Sequence, residues 1–213
     1  WAVFLRAGKD VDLVKLPHHL DYWKSYTAEE RQEDLQAIAQ LDWFKTHLPI
    51  LTLPENRDLM EAINRDFAVH AVFFDRLRHE GLGPIYVLRK RSGAPDERTF
   101  FDLVTDRPLE QYAAERGIDL RRAVSFCAGE KGARRPLLWL VDWSYEPLPG
   151  DGHGWITYTW CGGPFDGQDY LLIDRLTSLD LGNTWQNDHA PAYGRLPTST
   201  WGENWILREG YLV

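Results

Sequence analysis

Trp155-Ile-Thr-Tyr-Thr-Trp160 sets large side chains at 156, 158 and 160 against threonines at 157 and 159. That is the period of two expected of a β-strand with two distinct faces. Cys161-Gly-Gly-Pro164 breaks the run. Upstream, Leu137-Leu-Trp-Leu-Val141 is a continuous apolar stretch, and Pro147-Leu-Pro-Gly-Asp-Gly152 is dense in turn formers. Downstream, Tyr170-Leu-Leu-Ile-Asp174 reads as the next strand, and Trp201 and Trp205 flank a Gly202-Glu203-Asn204 turn before Ile206-Leu207. Short strands at this spacing predict a Trp-rich antiparallel β-sandwich, jelly-roll-like, over residues 137–213. Its strands are few for a closed sandwich. Either the sheet continues past Val213, or it takes strands from earlier in the chain.

The chain has 213 residues, 44% apolar and 26% charged, a mixture that excludes a disordered or collagen-like polymer. Its net charge of −8 argues against nucleic acid as a partner. Charge and aromatic content shift together near Arg134-Arg135-Pro136. Before it stand 21 basic and 22 acidic residues; after it stand three basic and ten acidic residues, with seven of the ten tryptophans. The shift predicts an α/β unit over 1–104, a helical connector over 105–136 and the β-sandwich over 137–213. The two cysteines, Cys127 and Cys161, match no metal or redox spacing, which leaves one disulfide or two thiols as alternatives.

Helices alternate with strands in the first unit. Thr27-Ala-Glu-Glu30 is a capping box, and Leu35, Ile38, Leu41, Phe44 and Leu48 follow at helical spacing until Pro49. Ile50-Leu-Thr-Leu53 reads as a strand. Asn56 is placed to cap a helix that turns Leu59, Met60 and Ile63 inward. Val69–Phe74 and Ile85–Leu88 read as strands, with a helical turn over Arg76–Glu80 between them. A short helix starts at Pro108 and ends at Gly117. Strands separated by helices predict a parallel or mixed sheet with right-handed crossovers, so the class expected for the whole chain is α+β.

Chemistry is harder to read. Pro17-His-His-Leu-Asp21 gathers three potential metal ligands, His18, His19 and Asp21, but a solvated or capping pair accounts for them more simply. The stretch Asn187-Asp188-His189, with Asp174 close in sequence, could hold a cation or a sugar hydroxyl, or form a plain polar turn. Asp166, Asp169, Asp174 and Asp188 supply carboxylates, though coincidental pairs are easy in so acidic a segment. Arg89, Lys90, Arg91 and Arg98 make a basic loop suited to solvent or to an anionic phosphate. Indole faces stack on sugar rings while nearby amides and acids bind hydroxyls. Trp185 with Asn187 and Asp188, and Trp201 with Asn204 and Trp205, are therefore the carbohydrate-binding candidates. Tryptophan also fills sandwich cores, so most of the seven should be buried. No nucleophile elbow or phosphate loop is present and nothing calls for a cofactor, so no self-contained active site is expected.

Four stretches in order carry a resemblance: Trp155–Trp160, Asp169-Tyr-Leu-Leu-Ile-Asp174, Gln186-Asn-Asp-His-Ala-Pro191 and Leu196-Pro-Thr-Ser-Thr-Trp201. Together they resemble the soluble C-terminal region of bacterial polyprenyl-phosphate-mannose-type membrane glycosyltransferases. The family often has Pro-Gly-Glu where this chain has Gly202-Glu203-Asn204, and its catalytic acids have no counterpart here. The resemblance implies a non-catalytic, extracytoplasmic and membrane-associated region that assists binding of a glycan or glycolipid acceptor. Its further partner would be a membrane protein or a membrane-embedded portion of the same protein. The alternative is a stand-alone carbohydrate-binding or structural subunit of a larger assembly, which predicts an exposed aromatic patch.

Overall fold

The computed structural model describes residues 27–47, 52, 56–73, 84–94, 97–128, 135–148, 153–165, 167–177, 182 and 184–213. Among them, three α-helices and ten strands build an α+β chain whose paired strands are all antiparallel.

Helix α1 (Ala28–Ala39) begins at the expected capping box. The Glu30 N–H donates to Thr27 Oγ1 at 3.2 Å, and the Thr27 N–H donates to Glu30 Oε2 at 2.9 Å. The helical spacing through Phe44 and Leu48 predicts a longer helix; instead α1 stops at Ala39 and β1 (Trp43–His47) follows. Phe44 still reaches the core, but from a strand paired with β3 (Ile85–Lys90), where it stands opposite Leu88. Helix α2 (Arg57–Asp66) buries Leu59, Met60 and Ile63 completely, as its spacing predicts. The Asn56 side chain makes no capping bond; the Asp58 carboxylate accepts from the Leu59 N–H instead. The strand expected over 50–53, apart from Thr52, and the turn expected over 76–80 fall outside the described residues.

Strand β2 (Phe67–Phe73) completes a sheet of order β1-β3-β2. The expected parallel or mixed sheet needs correcting here. β1 and β2 do run in the same direction, with α2 between them, but β3 lies between the two and pairs antiparallel with each. The connection from Phe73 to Ile85 is short for a crossover and natural for a strand that returns beside its predecessor.

A five-stranded sheet has the order β4-β10-β7-β6-β5, with β4 (Phe101–Val104), β5 (Val124–Ala128), β6 (Arg135–Pro147), β7 (Gly154–Gly162) and β10 (Trp205–Leu212). β4 and β5 precede the composition break, so strands from earlier in the chain widen this sheet. Helix α3 (Leu109–Arg116) begins after Pro108 and ends at Gly117, whose φ of 67° favours glycine. Its Tyr112 and Ala113 are buried, and Tyr112 packs with Val141, Cys161 and Ile206 on one sheet face. β8 (Leu172–Thr177) and β9 (Thr184–His189) form a two-stranded ribbon against the other face. Covered on both sides, β7 is buried along its whole length.

One core serves both sheets. It runs from Phe44, Phe67 and Leu88 through Phe100 and Trp155 to Tyr158, Trp160 and Leu207. The Asn64 side chain fastens α2 to β4 by donating to the Phe101 carbonyl at 2.6 Å and accepting the Phe101 N–H at 3.0 Å.

Candidate functional site

The register of the ribbon separates its side chains into two sets. Leu172, Asp174 and Leu176 stand opposite His189, Asn187 and Trp185 on the face turned to the large sheet. Ile173, Arg175, Gln186 and Asp188 point the other way and are exposed. Asp174 and Asp188 therefore occupy opposite faces and cannot flank one scissile bond. Asp169 accepts from the Ser199 N–H, which leaves it a loop tie. Asp166 lies outside the described residues.

Beneath the ribbon, Glu209 of β10 is fully buried and engages four donors. The Trp160 indole N–H reaches Oε1 at 2.8 Å, with His189 Nε2 at 3.3 Å from the same oxygen. Oε2 accepts from the Ala192 N–H at 2.7 Å and the Tyr211 hydroxyl at 2.8 Å. Asn187 Nδ2 lies 2.8 Å from His189 Nδ1, so donation by the amide places the imidazole proton on Nε2, facing Glu209. The turn at Pro191–Gly194 aims the Ala192 N–H by holding Ala192 and Tyr193 at φ of 50° and 57°. Non-glycine residues seldom adopt that region, and here the Glu209 bond and a Tyr193 hydroxyl bond to the Gly210 carbonyl hold them in it.

Asp174 completes the cluster from the ribbon side. Its Oδ2 lies 3.6 Å from His189 Nδ1 and has no hydrogen-bond partner. Burial raises its pKa, opposed chiefly by His189 and reinforced by the Glu209 charge, while Tyr158 approaches its carboxyl. Burial and the neighbouring Asp174 likewise push the Tyr158 phenol upward.

Tyr158 links this interior to the surface. Its cross-strand partner on β6 is Trp143, which is 56% exposed. Tyr145, two residues along the same face, is 50% exposed and lies across Gly154. Val124 and Phe126 of β5 extend the face, and the Phe126 ring meets Trp160 at 5.9 Å. Among the described residues the ribbon packs on β7 and β10, while Val124, Phe126, Trp143 and Tyr145 stay exposed. The result is a row of exposed aromatic rings that ends at the buried Tyr158.

The residues singled out from sequence are scattered. Trp201 is buried at 3% exposure, donates its indole N–H to the Leu196 carbonyl and meets Phe165 edge-on. Trp205 is half-buried over Gly202, and Asn204 is exposed at a φ of 56°. Trp185 is half-buried on the ribbon, Asn187 is tied to His189, and Asp188 accepts from Gln186. No hydrogen bond or ring contact among the described residues joins the Trp185 group to the Trp201 group. His18, His19 and Asp21 lie outside the described residues, and among those described no three His, Cys, Asp or Glu side chains are placed to hold a metal. Both cysteines are free, Cys127 exposed and Cys161 buried.

Sequence reading passed over Trp143, Tyr145 and Glu209. The alternation Trp143-Ser-Tyr145 was a usable signal, and so was an acid between Leu207 and Tyr211 at an inward position. Two of the resemblance stretches meet as a loop junction, where the Tyr170 N–H donates to Thr198 Oγ1 at 2.8 Å and Thr198 donates to the Gln168 carbonyl. No family model, no curated protein and no solved structure matches this chain.

Proposed function

We propose that this chain is a non-catalytic glycan-binding region whose contact surface is the aromatic margin of β5 and β6. The carrying observation is the row Phe126, Trp143 and Tyr145, exposed together on one sheet face. Indole and phenol faces stack on the apolar face of a sugar ring. Contiguous exposed aromatics mark interaction surfaces more often than they occur by chance. Catalysis finds no support beside this: Glu209 is sealed, and the acids do not converge on an open cleft.

On this reading the layering of ribbon on sheet is a partial, jelly-roll-like sandwich, and the partner is a glycan or glycolipid. The ordered stretches from Trp155 to Trp201 favour placement in the extracytoplasmic region of a membrane glycosyltransferase-like protein. A stand-alone binding subunit would use the same surface. No helix among the described residues is long and apolar enough to cross a membrane.

The test is a screen of the intact chain on immobilised oligosaccharides, mannose-containing and neutral ones included. Wild type should be retained by at least one class, and Trp143→Ala should lose retention with its melting temperature unchanged. Retention by none, or equal retention of Trp143→Ala, overturns the reading.

A further inference from the structure

The outer face of the three-stranded sheet carries cations in a chain that is otherwise acidic. Register places Trp43 beside Arg89 and Arg89 beside Ala68, and His70 sits at the bulge between Val69 and Ala71. A cavity of about 310 Å³ opens there, its polar wall formed by His70, Arg89, Glu97, Arg98 and Glu146. That volume is at the small end of sites that hold small molecules.

The charges in this wall are not equivalent. Arg98 is committed: Nε donates to Glu146 Oε2 at 2.7 Å, Nη2 donates to the other carboxylate oxygen, and Nη1 donates to the His70 carbonyl at 3.0 Å. Glu97 is committed as well, accepting from the Ser92 N–H and hydroxyl and from the Gly93 N–H. Arg89 is exposed, with no hydrogen bond or ion pair among the described residues. Glu97 and Glu146 balance the two guanidiniums in formal charge, but Glu97 is turned onto the Ser92–Gly93 loop, so Arg89 is the guanidinium of the wall to which no carboxylate is bonded among the described residues. His70 stands between the two guanidiniums, and burial together with Arg89 and Arg98 holds its pKa below the ordinary imidazole value. The His70 ring also meets Trp43 edge-on at 4.9 Å, and Trp43 is 42% exposed.

We propose that this cavity binds a compact ligand bearing one oxyanion, carboxylate or phosphate, seated on Arg89 with its body toward Trp43. A guanidinium presents parallel N–H donors that match such an oxyanion, and the bond is charge-assisted. Arg98 acts as a positioning residue that holds His70 and Glu146 as the walls. The site centres on the three-stranded sheet, takes only Glu146 from β6, and does not rest on the glycan reading proposed above.

The experiment follows the His70 ring C–H resonance of the intact chain by NMR during titration with inorganic phosphate, D-glucuronate and neutral D-glucose. At least one oxyanion should shift the resonance saturably and raise the His70 pKa, because a bound anion offsets the two guanidiniums. Glucose should leave it unchanged. Arg89→Gln should weaken the binding about tenfold or more, the loss expected for a charge-assisted hydrogen bond. A response to phosphate alone makes the bare oxyanion sufficient, and a response to glucuronate alone makes the ligand a sugar acid; both support the site. Saturation by neither, binding by Arg89→Gln equal to wild type, or an equal response to glucose overturns it.

Discussion

Trp160 donates its indole N–H to the Glu209 carboxylate across the β7–β10 pairing, although the two are not register partners: Trp160 faces Leu207, and Glu209 faces Tyr158. This diagonal bond joins a core aromatic to a fully buried acid, and three further donors complete the shell around that acid. A carboxylate removed from water survives only when its lone pairs are filled this way.

Glu209→Gln tests that shell directly. The amide turns two donors toward groups that are themselves donors, so at least one of the Ala192 N–H, the Tyr211 hydroxyl or the Trp160 N–H loses its acceptor. Urea unfolding should show a loss of about 2–4 kcal/mol. A change within experimental error would mean that the network relaxes without consequence.

Asp174 should give stability an unusual pH dependence. Its folded pKa is raised, so its protonated form is favoured in the folded state. That contribution is fully present below the unfolded value near about 3.9 and is lost as pH rises through the raised folded value. Glu146, Asp66 and Asp169 have lowered values and slope the other way, so only the difference between wild type and Asp174→Asn isolates the group. Asp174→Asn should gain stability relative to wild type as pH rises from about 4 to about 7. A difference independent of pH would exclude a raised Asp174. His189, Glu209 and Tyr158 face it, and Asp188 acts on it from the ribbon's other face.

Two glycines separate the fold from the proposed surface. A methyl at Gly210 would stand 2.5 Å from Trp155 Nε1 and 2.6 Å from two further indole atoms, in a buried position. Gly210→Ala should cost about 1–3 kcal/mol by overpacking. At Gly154 the obstacle is the half-exposed Tyr145 ring, which can swing outward. Gly154→Ala should therefore keep most of its thermal stability while weakening glycan retention. Retention matching wild type would remove Tyr145 from the contact surface.

The cysteines make a simpler test. Burial raises the Cys161 thiol to about 11, whereas Cys127 is exposed. Iodoacetamide at neutral pH should add one group to the folded chain and two in denaturant, read by intact mass. Two additions without denaturant would place Cys161 at the surface.

How far these features were legible from sequence varies with their range along the chain. The box at Thr27 and Glu30, the inward set Leu59, Met60 and Ile63, and the stop at Gly117 depend on residues within one or two turns, and each is where the sequence puts it. Phe44 was ambiguous because a position that continues a helical stripe can also be an inward position of a strand. Strand β3 settled it from more than forty residues away. The candidate site was less legible. Trp201 and Trp143 are the same residue type in similarly polar company, yet one is buried against Phe165 and the other lies open.

The sequence by itself determined where the helices start, which faces turn inward, and the period of two that makes β7 a strand. These follow from local hydrogen bonding and side-chain periodicity. Only the tertiary structure decided that β3 lies between β1 and β2, that β4 and β5 widen the large sheet, and that Phe126, Trp143 and Tyr145 stay exposed beside the ribbon. Backbone groups in a strand must find partners wherever the chain brings them, and no local pattern specifies which edge remains uncovered. The exposed position of Arg89, the sealed acid at Glu209 and the exposed ring of Trp143 are all consequences of that choice.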